Sequence, residues 1–344
     1  MYNKKVIIVY PFPVSKENEV WFTKEMRRYY EVKVYGTKLG SMLSGGLLKK
    51  FHKSIEIIIQ CFKAVYSSNQ NDIIICWDAV ESTLCFAFSI FKGKRSSYIL
   101  GLHWQTLVER KRSWLSVWIR RQMLNSNKVI VFVNQKSSIE QYIKYFRAGS
   151  EKSFVLLPDA YDAGFKFEEV SGSLRGGYCF AGGYNNRHWN FLIELASKMP
   201  EIKFVYITGK GIVDKAKLPS NIDFREDVEY TQFDELMKNS ALVLMPLIED
   251  RSSGLITIIR AAQHSRLCLS SNFEAISQYY SGENQDYLLH NATSIWKDKI
   301  EEVLSYDSAE YSHRVNDFQN YIKDNFSPEH AGNVIHSVIE KLEI

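Results

Sequence analysis

The chain has 344 residues, more than twice the roughly 150 residues of an average domain, which predicts two domains. Hydrophobic residues make up 45% and charged residues 24%, a composition that excludes a disordered or fibrous chain. The net charge of +4 divides unevenly, because residues 1–160 hold 25 Lys/Arg and 12 Asp/Glu whereas residues 161–344 hold 18 and 27. A basic domain joined to an acidic one predicts that the first faces an anionic surface.

The apolar runs exclude a membrane-spanning segment, since none reaches the roughly 18 residues that a span requires. The first run, 5–10, ends at Pro11, is too short for a secretory signal and is interpreted as a buried strand. The cysteines are dispersed and form no C-x-x-C pair, which predicts reduced core thiols and a cytoplasmic protein. They are Cys61, Cys76, Cys85, Cys179 and Cys268.

Short β-rich runs alternate with helical patterns through the first half. The predicted strands are 5–10, 31–35, 72–76, 97–102, 128–133 and 153–157, and the predicted helices are 17–30, 46–66, 79–91, 107–125 and 136–146. This alternation indicates a parallel sheet with right-handed crossovers and therefore a Rossmann-like domain at 1–160.

The pattern breaks at 158–162 (PDAYD), and a polar, Gly-rich stretch predicts a linker over 161–176. Alternation then resumes, which predicts a second Rossmann-like domain at 177–325 and a C-terminal helix at 326–344 that packs back on the first domain. The predicted strands are 177–182, 203–208, 222–224, 241–245 and 266–270, and the helices are 188–198, 231–238 and 254–264. Parallel α/β sheets bind ligands at the carboxyl ends of their strands, so we expect two sheets that face a central ligand cleft.

The first chemical motif is 180–193 (FAGGYNNRHWNFLI), where a strand ends in Gly182 and Gly183 and a polar loop opens a helix. Glycine lets the backbone approach a ligand closely, and a helix N-terminus beside Arg187 forms an anion site that suits a diphosphate. A plain strand-to-helix turn with a solvated arginine is the open alternative.

The second motif is 244–262 (LMPLIEDRSSGLITIIRAA), in which a loop with Glu249 and Asp250 leads into an apolar helix. The turn 253–257 places the backbone amides of Gly254, Leu255 and Ile256 where they can bind a second phosphate. The hydroxyl of Ser252 or Ser253 is the predicted helix cap, and a cap without any ligand remains the alternative for Ser253.

These two motifs, in this order and separation, resemble the donor-binding half of GT-B glycosyltransferases, in particular the retaining GT4 (group 1) family. The resemblance covers about residues 177–289. It implies that Arg187 takes the place of a phosphate-binding lysine, that Ser253, Gly254, Leu255 and Thr257 contact the donor, and that Glu249 and Asp250 are the acidic candidates.

The resemblance extends weakly to two further segments. Residues 158–162 stand where the family has a Pro-Asn-Gly-Val-Asp linker, and the loop 226–230, with Val228, stands where relatives bind the base. Two positions depart from the family pattern, because Arg260 falls near its second glutamate and Gly183 near an arginine.

In the first half, His103 follows a predicted strand at a place where relatives often carry a residue near the acceptor. Its imidazole can hydrogen-bond a sugar hydroxyl or take part in proton transfer, and a structural hydrogen bond is the alternative. Asp78 and Glu81, which follow the strand 72–76, are further candidates.

Basic and aromatic residues share helical spacing at 47–55 (LLKKFHKSI) and at 110–121 (RKRSWLSVWIRR). Such helices can lie in an anionic lipid interface, or their aromatic stripe can belong to the core with the basic residues in water.

Taken together, the sequence predicts a metal-independent glycosyltransferase of hexosyltransferase type that uses no cofactor and takes a UDP- or GDP-linked sugar as donor. Its expected acceptor is a glycan or a lipid-linked glycan of bacterial-type surface polysaccharide synthesis. Its expected location is the inner face of the cell membrane, with no nucleic-acid partner. A sugar-nucleotide epimerase and a catalytically inactive scaffold of the same architecture remain open alternatives.

Overall fold

The structure is a computed structural model that describes residues 4–15, 20–38, 47–93, 97–103, 113–161, 164, 166–169, 177–251 and 253–342. The chain divides into two compact units, unit 1 comprising residues 1–160 with 328–344, and unit 2 comprising residues 161–327. Ser252, the basic residues Arg110, Lys111 and Arg112, and most of the expected linker 161–176 lie outside the described residues.

Unit 1 alternates strands and helices along the chain. Its elements are β1 (Lys5–Tyr10), α1 (Trp21–Arg27), β2 (Glu31–Gly36), α2 (Leu47–Ser67), β3 (Ile73–Cys76), α3 (Ala79–Lys92), β4 (Tyr98–His103), α4 (Trp114–Leu124), β5 (Val129–Val133), α5 (Lys136–Phe146) and β6 (Phe154–Leu156). The six strands form one parallel sheet in the order β2-β1-β3-β4-β5-β6.

Helices cover both faces of this sheet, so its strands are apolar on both sides. In β1, Ile7 and Val9 join the cluster beneath α2, α3, α4 and α5, whereas Val6 and Ile8 join the cluster beneath α1. Burial on both faces is the reason why the strands appear in the sequence as continuous Val/Ile runs and not as alternating ones.

Unit 2 repeats the scheme with twelve further elements. They are β7 (Tyr178–Gly182), α6 (Trp189–Ser197), β8 (Lys203–Thr208), β9 (Ile222–Glu226), α7 (Tyr230–Lys238), β10 (Leu242–Met245), α8 (Leu255–Gln263), β11 (Cys268–Ser271), α9 (Glu274–Ser277), β12 (Leu288–Leu289), α10 (Thr293–Ser305) and α11 (Ser308–Asn325). Its six strands are also parallel, in the order β12-β11-β10-β7-β8-β9. The prediction of an α/β chain with two parallel Rossmann-like sheets is confirmed.

The last helix, α12 (Pro328–Lys341), belongs to unit 1 and covers α1. Its Ile335 and Ile339 are fully buried in the same cluster as Val6 and Ile8. The hydroxyl of Tyr29 donates to the side-chain oxygen of Asn333 at 2.6 Å, which ties the turn after α1 to α12 at the surface. The chain end therefore completes the core of the domain in which the chain begins.

Among the described residues, no helix combines the length and the apolar composition that crossing a membrane needs.

We predict that Ile335→Ala lowers the free energy of unfolding of unit 1 by about 2–5 kcal/mol, because it leaves a cavity between α12 and the sheet. Hydrogen exchange of the amides in β1 and α1 measures the effect. Ser337→Ala, on the exposed side of the same helix, should change it by less than about 0.5 kcal/mol. Equal protection in the two variants would show that α12 contributes nothing to the stability of unit 1.

Candidate functional site

The candidate site lies at the carboxyl edge of the unit 2 sheet, where two loops pair with each other. The loop 183–188 follows β7 and the loop 246–254 follows β10. The Asn186 amide group donates to the Glu249 carbonyl oxygen at 2.7 Å and accepts from the Glu249 N–H at 3.2 Å. The Ile248 N–H donates to the Asn186 carbonyl oxygen at 3.0 Å, so the two loops form a single hydrogen-bonded structure.

The Arg187 side chain is buried beneath these loops, with 4% of its surface exposed. Its Nε and Nη2 both donate to the Gly182 carbonyl oxygen, at 3.1 and 2.8 Å. Within the described residues its Nη1 has no hydrogen-bond partner, and no carboxylate pairs with the guanidinium. Burial lowers the pKa of Arg187 to about 10, still well above neutral pH, so the site holds a buried positive charge.

A buried charge without a counter-ion is costly, since it has lost its hydration and gained no ion pair. Arg187 therefore marks the place where an anionic ligand would restore the missing interaction.

Two glycines make room for the guanidinium. A Cβ on Gly183 would lie 2.9 Å from Nη2 of Arg187, and a Cβ on Gly254 would lie 3.0 Å from the same atom. Both glycines have positive φ, 128° and 77°, a backbone conformation that L side chains rarely adopt. Larger residues at either position would displace the arginine.

The nine-residue helix α8 begins directly beside Arg187. Gly254 occupies its N-cap in the left-handed conformation and offers no side-chain cap. The Thr257 N–H donates back to the Gly254 carbonyl oxygen at 2.8 Å, so the amides of Leu255 and Ile256 lead the helix. The positive end of the helix dipole and the buried guanidinium thus act on the same spot, which suits a phosphate group.

The other predicted donor residues have structural contacts. The Ser253 hydroxyl donates to the Asn185 carbonyl oxygen at 3.2 Å and ties the two loops together, so Gly254 takes the N-cap position expected for a serine. A Cβ on Gly182 would lie 2.4 Å from the Phe233 ring, so packing requires this glycine. Val228 follows β9 and packs partly buried on the unit 2 core.

The two acidic residues of the second motif differ in their surroundings. The Asp250 carboxylate accepts from the backbone N–H groups of Glu274 at 2.9 Å and Ala275 at 3.1 Å, and so caps α9. Glu249 is exposed and lies 2.9 Å from the Arg251 guanidinium. Of the pair, Glu249 is the carboxylate that faces solvent and can meet a substrate.

Arg260, at the position of departure from the family pattern, pairs with the Asp234 carboxylate of α7. The Arg260 guanidinium also lies over the ring of Tyr230, 4.5 Å from its centroid, and Tyr230 is 60% exposed. This cluster brings a carboxylate, a cation and an exposed aromatic ring together at one place in unit 2. Sequence reasoning missed it because Asp234 and Arg260 are 26 positions apart.

In unit 1, His103 is buried and both ring nitrogens have protein partners. Its Nε2 lies 3.1 Å from the Ser82 hydroxyl, and its Nδ1 lies 3.0 Å from the Tyr142 hydroxyl. The geometry is that of a structural hydrogen-bond network linking β4 to α3 and α5, which was the alternative considered for this residue.

Asp78 and Glu81 lie at the start of α3. The Asp78 carboxylate caps the helix by accepting from the Ala79 N–H at 2.6 Å. Glu81 is 1% exposed, and its Oε2 has no hydrogen-bond partner in the part of the chain that the structure describes. Burial raises the pKa of Glu81 to about 7, so its carboxyl group titrates near neutral pH.

The sequence matches no protein-family model and no protein of curated function. Its fold is similar to that of several solved structures. HepE of Anabaena, in complex with UDP and glucose, has a TM-score of 0.67 at 10% identity over 98% of this chain and 100% of that one. Sucrose-phosphate synthase of Thermosynechococcus elongatus has a TM-score of 0.69 at 10% identity, over 98% of this chain and 99% of that one.

A third structure, a variant of S. aureus TarM in complex with fondaparinux, alpha-GlcNAc-glycerol and UDP, has a TM-score of 0.61. It is 14% identical over 84% of this chain and 59% of that one. At these identities the likeness shows the fold alone, and that fold is the GT-B type expected from the sequence.

We predict that Glu81→Gln stabilises unit 1 at pH 8 but not at pH 4. The carboxyl pKa rises from 4.5 to about 7 on folding, so the free energy of unfolding falls as pH rises between these values. This fall in the free energy of unfolding is about 1–3 kcal/mol, and it should be absent from the Glu81→Gln variant. Urea unfolding at the two pH values measures it, with Glu140→Gln on the exposed side of α5 as control. A pH dependence unchanged by Glu81→Gln would contradict this.

We also predict that Gly254→Ala weakens pyrophosphate binding, because the added methyl group displaces the guanidinium of Arg187. Gly211→Ala is the matched control, since Gly211 has a similar φ of 75° but its Cβ would meet nothing within 4 Å. Both variants should lose about 1 kcal/mol of stability. In calorimetry only Gly254→Ala should bind pyrophosphate more weakly than the original protein. If both variants bind pyrophosphate equally well, the turn at Gly254 is only a helix cap.

Proposed function

We propose that the protein is a glycosyltransferase that uses a UDP- or GDP-linked sugar, and that Arg187 and the N-terminus of α8 bind the donor diphosphate. The observation that carries this proposal is the buried guanidinium, which has a free Nη1 and no counter-ion within the described residues. A nucleotide diphosphate supplies the missing charge. The motif order that resembles the GT4 family supports the same assignment.

The bond between the anomeric carbon of the sugar and a phosphate oxygen breaks during transfer, and negative charge builds up on the leaving diphosphate. Fixed donors aimed at that charge lower the barrier most, since they need no reorganisation. The two bonds from Arg187 to the Gly182 carbonyl oxygen hold the guanidinium in place before the donor arrives. In this proposal protein groups stabilise the leaving group without a metal ion.

The acceptor hydroxyl attacks the anomeric carbon, the bond to the phosphate oxygen breaks, and the hydroxyl proton passes to that leaving oxygen. We assign Glu249 to the donor sugar, because its exposed carboxylate can accept hydrogen bonds from sugar hydroxyls. Asp250 then acts by holding α9 against the same loop. We further propose that the transfer retains the anomeric configuration, as in the GT4 family.

The exposed Tyr230 ring beside Arg260 and the loop around Val228 are assigned to the base and the ribose. We assign to Asp234 of α7, which pairs with Arg260, the role of the second glutamate that the GT4 family carries near position 260 on α8. We assign a glycan or lipid-linked acceptor and a role in surface polysaccharide synthesis on the cytoplasmic side of the membrane.

The test compares ligands that differ only in the diphosphate. We expect calorimetry to show that Arg187→Lys weakens UDP or GDP binding by about 1.5–3 kcal/mol, roughly ten- to hundredfold in Kd, because lysine cannot form the same fork of hydrogen bonds. Uridine or guanosine, which lack phosphate, should bind both forms equally. Arg225→Lys is the control, since Arg225 is an arginine of unit 2 already paired with Asp223.

Equal UDP and GDP affinities in the Arg187→Lys variant and the original protein would contradict the diphosphate assignment. Release of UDP or GDP from the sugar nucleotide then tests for turnover. Binding without release, with or without glycan acceptors, would favour the inactive scaffold, and isomerised sugar nucleotide would favour the epimerase.

A further inference from the structure

Exposed apolar side chains concentrate on three neighbouring helices of unit 1. Among the described residues, twenty large hydrophobic side chains are exposed, and thirteen of them lie on α2, α3 and α4. Contiguous apolar patches of this kind mark interaction sites on soluble domains. The thirteen are Leu48, Phe51, Ile55, Ile58, Ile59, Phe62, Tyr66, Val80, Ile90, Phe91, Trp114, Leu115 and Trp118.

Helix α2 carries two apolar stripes instead of one. Its core stripe includes Ile57, Cys61 and Val65, which are buried against the sheet. A second stripe, at 48, 51, 55, 58, 62 and 66, repeats every three or four residues and is exposed. A surface helix normally has polar residues on the side away from the core, so the second stripe requires a partner other than water.

The second stripe continues onto the neighbouring helices. The Phe62 ring lies 4.3 Å from that of Tyr66 and 5.6 Å from that of Phe88 on α3, between ring centroids. A groove of about 330 Å³ crosses the three helices and is lined by Ile58 of α2, by Leu84 of α3 and by Arg120 of α4. Stripe and groove form one surface, which we call the α2–α4 face.

Basic residues outnumber acidic ones on these three helices, and the exposed basic residues are Lys49, Lys50 and Lys63. The three helices carry the basic residues Lys49, Lys50, Lys53, Lys63, Lys92, Arg120 and Arg121. Their acidic residues are Glu56, whose carboxylate accepts from the Lys38 N–H at 3.0 Å, and Glu81, which is buried. An anionic partner with an apolar interior complements such a face.

We propose that the α2–α4 face docks on an anionic lipid bilayer, with its apolar stripe among the acyl chains and its lysines at the lipid phosphates. A basic amphipathic surface with exposed tryptophans, such as Trp114 and Trp118, has the composition of interfacial membrane elements. A second copy of the chain fits less well, because a twofold contact would bring two positively charged faces together. The inference rests on unit 1 alone and does not depend on the donor site.

Sedimentation with vesicles tests this docking. The protein should bind vesicles of phosphatidylglycerol and phosphatidylcholine, bind pure phosphatidylcholine far less, and be released as salt rises, because salt screens the lysines. Lys49→Gln, Lys50→Gln and Lys63→Gln together should lower partitioning at least about tenfold, because each lysine near an anionic surface adds to the attraction.

A second variant tests the apolar stripe. Phe51→Ser, Phe62→Ser and Trp114→Ser together should also lower partitioning at least about tenfold, because three inserted aromatic side chains are lost. The matched control joins Leu156→Ser, Ile212→Ser and Ile295→Ser, whose side chains are 46%, 45% and 41% exposed and belong to none of these three helices. The control should bind vesicles as the original protein does.

The lysine variant changes only surface side chains and should keep its fold and its UDP affinity, so it decides the outcome. Partitioning equal to that of the original protein would overturn the proposal. A second result would also overturn it: the original protein sediments as a dimer and binds no vesicles, and the lysine variant sediments as a monomer. The face would then join two copies of the chain. Because UDP affinity is measured in parallel, failure here is distinguishable from failure of the donor assignment.

Discussion

The buried positive charge of Arg187 constrains the whole carboxyl edge of the unit 2 sheet. Its guanidinium is held by one carbonyl oxygen, that of Gly182, and its position leaves no room for a side chain on Gly183 or Gly254. Those two glycines in turn set the path of the loops that follow β7 and β10. A charge buried without a counter-ion raises the free energy of the folded state, and such arrangements persist where a ligand uses them.

Hydrogen bonds connect the loops around this charge to each other and to α9. Asn186 bonds twice to the backbone of Glu249, and Asp250 anchors the second loop to α9 through two amides. Preorganisation of this kind is what electrostatic catalysis requires, because donors already in place need not be reoriented as charge develops. Several polar side chains of the motifs therefore bond to the protein itself. Their hydrogen bonds build the frame in which the arginine and the helix amides stay available.

Much of the fold was predictable from the sequence, since each strand is a short Val/Ile-rich run and each crossover is helical. The strand β1 was predicted at its observed bounds, whereas β12, with two residues, is too short to leave a pattern. The site was predictable only in part. The position of Arg187 after a Gly pair indicated an anion site, but its burial depends on loops 60 residues apart in sequence. The contacts of Asp250 and His103 likewise come from distant segments, and no local pattern reveals them.

In the proposed function an anionic donor approaches an acidic half of the chain, because residues 161–344 carry 27 Asp/Glu against 18 Lys/Arg. Exposed charges act weakly beyond the screening length of about 8 Å at physiological ionic strength. A charge inside the protein acts through a lower effective dielectric constant and is screened much less. Arg187 therefore dominates the short-range field at its own site despite the acidic surface. In the proposed function the acidic composition of residues 161–344 disfavours nonspecific anion binding in this half of the chain. Selectivity for the donor then rests on Arg187, which is buried beside the N-terminus of α8.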